Sequence, residues 1–315
     1  MYMRYNTKNN KDNNHSFIKK CKLFFSLETK TAPKLLMGPA VIFLLAITII
    51  PTIYAIYISL QSYKLSDPLN RSFVWFKNYL DLFTDARFWN SVKVTVQFIG
   101  GSLIVEMILG FILALLIIRN FKGSRFVKSF FLVPTITTPV VVGLTWIMIY
   151  DPQFGVLNYL LNNLGFNTQD WLSQADTAIW AIVVVDIWEW TPFVALVLLS
   201  GLSSLPKEPF EAAKIDGASR FQTFIYLTLP LMKGYIMIAF IFRFMDVFRW
   251  FDTIYVMTKG GPGVSSETLN MFGYITGFEK LNVSYAAAIA ITMLIIMIII
   301  AQWFIKRFFT NTGGD

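Results

Sequence analysis

The chain has 315 residues, 55% of them hydrophobic and only 15% charged. Soluble domains carry about 25% charged residues, and a bilayer core tolerates few charges, so the composition excludes an ordinary water-soluble domain. The formal net charge is +8, but the basic residues sit at the ends of apolar runs, which fits a membrane protein better than a nucleic-acid-binding face.

The first segment, 1–33, is polar and rich in Asn and Lys, and it reads as a tail without helical apolar periodicity. It is too long and polar for the start of a signal peptide, and no cleavage is expected. It holds the chain's one cysteine, Cys21, and one histidine, His15. They are too few for an internal disulfide or a structural zinc site.

Segment 34–315 reads as an all-α membrane domain of about six spans, because a spanning helix needs about 20 apolar residues. The expected spans are 35–60, 92–118, 126–150, 178–202, 229–257 and 285–305. Several contain proline: Pro39 and Pro51 in the first, Pro134 and Pro139 in the third, and Pro192 in the fourth. Kinks of this kind survive where neighbouring helices satisfy the freed carbonyls.

Lys and Arg in the connections predict the orientation. Eighteen lie on the side of both termini and seven on the other side, which puts both termini in the cytoplasm. The outer connection 151–176 contains no Lys or Arg.

The inner connection 203–228 is the most informative part of the chain. Ser203 or Ser204 suits a helix cap, and Pro206 and Pro209 suit a first turn. Glu211-Ala212-Ala213-Lys214-Ile215-Asp216-Gly217-Ala218 follows. The two alanines favour helix with little bulk, and Gly217 suits the left-handed residue that ends one. Ser219 can start a second helix that leads to Pro230. Two short helices meeting at a glycine would offer another protein a close approach. Glu208, Glu211 and Asp216 could anchor basic groups on it.

This run, continued by Phe221, Phe224 and Leu227-Thr228-Leu229-Pro230, resembles the EAA loop of binding-protein-dependent ABC importer permeases. Leu227 stands where that family often has Ile. Trp188-Glu189-Trp190-Thr191-Pro192-Phe193 and the run from Phe251-Asp252 to Gly260-Gly261-Pro262-Gly263 resemble its carbohydrate-uptake branch, the maltose- and glycerol-phosphate-type permeases. Glu267-Thr268-Leu269 and Tyr285-Ala286-Ala287-Ala288 extend the likeness.

The resemblance implies a type I, maltose-permease-like bundle in a bacterial cytoplasmic membrane. It implies a second and distinct permease, two cytoplasmic ATPase subunits, an extracellular solute-binding protein and a sugar or oligosaccharide substrate. Glu211, Ala212, Ala213, Asp216, Gly217 and Ala218 would couple to the ATPase. The chain has no G-x-x-x-x-G-K-[ST] phosphate loop. ATP and magnesium are therefore expected on the partner, with no cofactor or catalysis on this chain.

Charges inside spans mark functional or paired positions. Arg243, Asp246, Arg249 and Asp252 fall every third residue, and so do Asp186 and Glu189. Opposite signs at this spacing can pair along a helix, and pairing with the fifth-span arginines would neutralise Asp186 and Glu189. On one continuous helix, a stripe with this step drifts about halfway round, so all four could not face one pore. Glu106 is a further buried-charge candidate. Trp146, Tyr150, Trp188 and Trp190 could stack on a sugar or mark the membrane interfaces. Gly260-Gly261-Pro262 reads as a turn. The alternatives are a proton- or ion-driven transporter using the span charges, an ABC permease for another solute, and a membrane enzyme.

Overall fold

The computed structural model describes residues 32–118 and 124–308. The polar tail with His15 and Cys21, the basic residues Arg119 and Lys122, and the C-terminal residues 309–315 lie outside the described residues. The chain divides into two compact units, Met1–Tyr57 and Ile58–Asp315. The first contains most of α1 (Ala32–Ser59), an apolar helix with Pro39 and Pro51 inside it.

The second unit opens with a feature that the helical reading passed over. β1 (Gln61–Lys64) and β2 (Asp67–Phe73) pair antiparallel, with Gln61 opposite Phe73 and Ser62 opposite Ser72. The Asn78 side-chain amide donates to the carbonyls of Ser59 and Gln61, at 2.7 and 2.8 Å, and fixes the start of the hairpin. α2 (Lys77–Thr84) follows.

α3 (Ala86–Ile117) is 32 residues long, about 48 Å at 1.5 Å per residue, so it overshoots a hydrocarbon core of about 30 Å. Asp85 caps it by accepting from the Arg87 backbone N–H at 2.8 Å.

The expected third span is not one helix. It forms α4 (Ser124–Phe131), α5 (Val133–Ile136) and α6 (Pro139–Ile149). Pro134 and Pro139 donate no backbone hydrogen bond, and proline disfavours helical backbone in the residue before it. Thr138, directly before Pro139, accordingly turns extended at ψ 139°, and Thr137 beside it adopts the same ψ.

α7 (Val156–Asn163) lies in the following connection, where the Asn158 side chain bonds the Gln169 backbone and the Trp171 indole. α8 (Ala178–Ser203) is the central helix of the unit, with Ile182, Val185, Val194 and Leu198 fully buried.

α8 packs along α3, and the approach is closest at Gly110. A Cβ there would come within 2.6 Å of the Val194 Cγ1 atom and 3.1 Å of the Ala195 backbone nitrogen. Gly110→Leu is therefore expected to destabilise the unit by about 1–3 kcal/mol through overpacking, measured as a lower thermal midpoint in detergent.

After α8 come α9 (Glu208–Ile215), α10 (Arg220–Thr223) and a π-helical turn over Phe224–Thr228. α11 (Leu229–Phe248) and α12 (Asp252–Met257) then occupy the expected fifth span, with a break between them. α13 (Leu269–Tyr274), a second π-helical turn over Ile275–Glu279, and α14 (Val283–Phe308) complete the described chain. Among the described residues, five helical stretches are long and apolar enough to cross a membrane: Leu36–Ser59, Ala86–Ile117, Ala178–Ser203, Arg220–Met257 and Val283–Arg307. The interrupted stretch around α6 is the sixth apolar segment.

Candidate functional site

Two places bring chemistry together: a buried ion cluster between α3, α8 and α11, and the exposed pair of short helices after α8.

Arg243 on α11 is the hub of the cluster and is 1% exposed. Its guanidinium carries five donors in a fixed fork. Nε and Nη2 donate to the two carboxylate oxygens of Glu106 on α3, at 2.7 and 2.9 Å. Nη2 also donates to Asp186 on α8 at 2.8 Å, and Nη1 to Asp246, one turn along α11, at 2.8 Å. The Trp190 ring lies 4.8 Å from the guanidinium carbon, with Trp250 beyond it at 5.9 Å. The two indoles meet edge-on at 5.6 Å. This surround is hydrophobic and cation-stabilising at once. A lysine could not reproduce it, because its ammonium is a single point charge.

The Asp186–arginine pairing expected from the sequence forms with Arg243. Glu189 does not join it. It is 1% exposed, and neither of its carboxylate oxygens has a hydrogen-bond partner among the described residues. Its backbone carbonyl accepts from the Thr135 hydroxyl at 2.9 Å, which ties α8 to α5.

The helical stripe does not reach Asp252, because α11 ends at Phe248 and α12 begins at Asp252. The Arg249 side chain is 71% exposed and reaches Asp246 at 3.5 Å. Asp252 is exposed in the first turn of α12. Trp188 is 44% exposed and packs edge-on against Trp146 at 5.7 Å. The Tyr150 hydroxyl donates to the buried Ala181 carbonyl at 2.9 Å.

One ion pair had no sequence signal beyond the Glu267-Thr268-Leu269 string. Glu267 is 1% exposed and accepts from Arg87 Nε at 2.8 Å, from Arg87 Nη2, and from the Ser91 hydroxyl at 3.2 Å. The Leu269 backbone N–H donates to the Thr95 hydroxyl at 2.9 Å. These contacts bolt the segment after α12 to the start of α3. Gly260 and Gly263, at φ +86° and +62°, make a tight turn there, held by the Thr258 and Ser266 hydroxyls at 2.7 Å from each other. Arg87→Ala strips a buried carboxylate of charged donors and is expected to cost about 2 kcal/mol, read as a lower thermal midpoint.

At the other end of α8, α9 starts at Glu208 with Pro209 in its first turn. Ser203 and Ser204 do not cap it, because they end α8. Ser204 bonds the Gly201 carbonyl at 2.8 Å and lies 2.7 Å from the Tyr235 hydroxyl. The end of α9 is a Schellman closure. Ala218 N–H donates to Ala213 O at 2.9 Å, Gly217 N–H donates to Lys214 O at 3.3 Å, and Gly217 sits at φ +76°. Ser219 and Gln222 then form a reciprocal capping box that opens α10.

No residue of α9 is buried, and Glu211, Ala212 and Asp216 are exposed or nearly so on its surface, with Ile215 86% and Phe221 71% exposed nearby. A cavity of 670 Å³ opens between α9 and the ends of α3 and α8, lined by Ile118, Leu202, Leu205, Phe210 and Lys214 among others. An exposed helix of small and acidic residues, closed at its C-terminal end and backed by apolar side chains, is suited to docking rather than catalysis.

The chain resembles known transport proteins over most of its length. It is 36% identical over 240 residues to the trehalose/maltose transport system permease protein MalF of Thermococcus litoralis, covering 76% of this chain and 81% of that one. It is 33% identical over 280 residues to the trehalose transport system permease protein SugA of Mycobacterium tuberculosis, covering 89% of each. The fold matches a bacterial alginate ABC transporter solved with its periplasmic protein, with a TM-score of 0.79, 21% identity, and 93% of this chain and 100% of that one covered. Residues 106–310 match the model of the binding-protein-dependent transport system inner membrane component, and the chain belongs to that family.

Proposed function

We propose that this chain is the transmembrane permease subunit of an ATP-driven carbohydrate importer, with both termini in the cytoplasm. It pairs with a second and distinct permease, takes its solute from an extracellular binding protein, and receives its drive from two cytoplasmic ATPase subunits that carry ATP and magnesium. The carbohydrate assignment is supported by relatives named for trehalose and maltose.

The observation that carries the coupling role is α9, with none of its residues buried and with Gly217 closing its C-terminal turn. Glu211, Ala212, Ala213, Asp216, Gly217 and Ala218 form the docking element. α11 follows it through the π-helical turn, so a push on α9 and α10 reaches Arg243. Arg243 grips α3 and α8 through Glu106 and Asp186. The segment therefore moves as a linked body, with the ion cluster keeping the helices in register. Asp246, Arg249 and Asp252 border the solute route. Asp186, Glu189, Trp188 and Trp190 support it from α8.

Uptake of radiolabelled trehalose and maltose into proteoliposomes that contain the complete transporter tests the reading. The expected result is uptake that requires both internal ATP and the binding protein. Uptake by this chain alone, driven by a proton or sodium gradient, would mean a secondary transporter.

A further inference from the structure

Four aromatic rings from two separate elements form a continuous ladder beside the break between α11 and α12. Phe251 and Tyr255 stack at 5.4 Å across the start of α12. Tyr274, at the end of α13, lies 4.9 Å from Phe251 and 5.2 Å from Tyr255. Phe278, in the second π-helical turn, stacks on Tyr274 at 5.1 Å. Phe251, Tyr255 and Tyr274 are half-buried, and Phe278 is 73% exposed. The ladder thus runs from the exposed Phe278 to the break between α11 and α12.

Polar groups lie in and beside the break between α11 and α12. The Arg249 side chain is 71% and Asp246 27% exposed, Asp252 is exposed, and the Asn270 amide donates to the Arg249 carbonyl at 2.6 Å. These charges lie on a stretch, Arg220–Met257, that is apolar and long enough to cross a membrane. Charges at such depth face water or protein, not lipid. Unwound helix in a membrane is tolerated where it lines a cavity or is covered by protein, and broken helices form the solute sites of other transporters.

A sugar ring needs both surfaces at once. Its C–H faces pack on aromatic rings, while its hydroxyl rim hydrogen-bonds to carboxylate, guanidinium and amide groups. A site made of apolar and aromatic walls with a few placed polar groups is the usual design for a small ligand.

We propose that Phe251, Tyr255, Tyr274 and Phe278 are a stacking track for the transported carbohydrate, delivering it to a polar rim of Asp246, Arg249, Asp252 and Asn270. The proposal rests on the carbohydrate reading above. The competing occupants of the same face are lipid headgroups, as an aromatic belt, and the second permease.

The chain has one cysteine, Cys21, so Cys21→Ser makes this chain cysteine-free within the complete transporter, and labelling is read on this chain alone after the subunits are separated. Tyr274→Cys, Phe278→Cys and Asp252→Cys are then each exposed to a membrane-impermeant maleimide, with and without trehalose or maltose. The expected result is labelling at all three, slowed by the sugar that the transporter carries. In uptake assays Tyr274→Ala is expected to raise KM about tenfold with Vmax retained, and Tyr274→Phe, which keeps the ring, to stay near wild type. Co-purification of the partner subunits with each variant establishes that it has assembled.

Positions that resist labelling in an assembled transporter that carries one of the sugars would overturn the track alone, pointing to lipid or permease cover. Labelling without sugar protection, with KM unchanged in Tyr274→Ala, would overturn it too. A wild-type transporter that carries neither sugar would overturn the carbohydrate reading, and the sugar track with it, whatever the labelling shows.

Discussion

Gly217→Val is expected to reduce ATP-driven uptake more than tenfold while the ATPase subunits still hydrolyse ATP. The cause is conformational and local. Gly217 sits at φ +76°, and a Cβ there would meet nothing within 4 Å, so the substitution creates no clash outside its own backbone. It would instead force a β-branched side chain into the left-handed region, at a cost of about 1–2 kcal/mol or more. The cheapest relief is to open the turn. That breaks the closure in which Ala218 and Gly217 donate to the carbonyls of Ala213 and Lys214, and it re-aims α9 relative to α10. Gly217→Asn is the control, because asparagine tolerates this region, and it is expected to keep most of the uptake. The measurement is sugar transported per ATP hydrolysed in proteoliposomes. Full coupling in Gly217→Val would show that the rigid turn is not the transmitting element.

Arg243→Met is expected to destabilise the chain by about 3–5 kcal/mol, the usual consequence of leaving buried charges without their partner. Glu106 would lose both of its donors, and Asp186 the only one it has among the described residues. Arg243→Lys recovers only part of the loss, because one ammonium cannot serve three carboxylates in the fork geometry. The combination Arg243→Met, Glu106→Gln and Asp186→Asn should regain much of it, since it removes the opposing charges as well. The readout is the yield of folded protein extracted from membranes and its thermal midpoint. An unchanged midpoint in Arg243→Met would mean that the cluster contributes little to holding α3, α8 and α11 together. The stability test also bears on function, because in the proposed coupling the same arginine carries a displacement of α11 to the other two helices.

Where helices begin and end was legible where the rule is local. Long apolar runs specify long helices, and the left-handed Gly217 and the Ser219 cap are visible in short strings because each acts on backbone within four residues. The interruptions were harder to see. Pro134 and Pro139 were visible, yet Thr137 and Thr138 turn extended between them and one expected span splits into three pieces. The break at Arg249–Phe251 has no proline or glycine to announce it. An i, i+3 count made on a continuous helix therefore holds as far as Arg249, which reaches Asp246 at 3.5 Å, and fails at Asp252, which opens the next helix. The hairpin over Gln61–Phe73 carries too little apolar alternation to stand out, and Asn78 holds it from a distance.

The ion cluster shows the same limit more sharply. Arg243 and Asp246 are neighbours in sequence, and their pairing follows from helical spacing. Glu106 lies 137 residues away and Asp186 lies 57 away. Burial cost says that such charges must find partners. It does not say which. Nothing in the sequence joins Arg87 to Glu267, 180 residues away, because a salt bridge needs only the two ends to meet and leaves no pattern between them.

The most direct test of the central claim is to purify the tagged chain from its native membrane and identify what accompanies it by mass spectrometry. The expected result is an ATPase subunit and a second permease, with the ATPase lost when α9 is disrupted, as by replacing Glu211–Gly217 with a flexible linker, while the second permease stays bound. An ATPase that remains bound without α9, or a chain that purifies with neither subunit and still transports when reconstituted alone, would contradict the account.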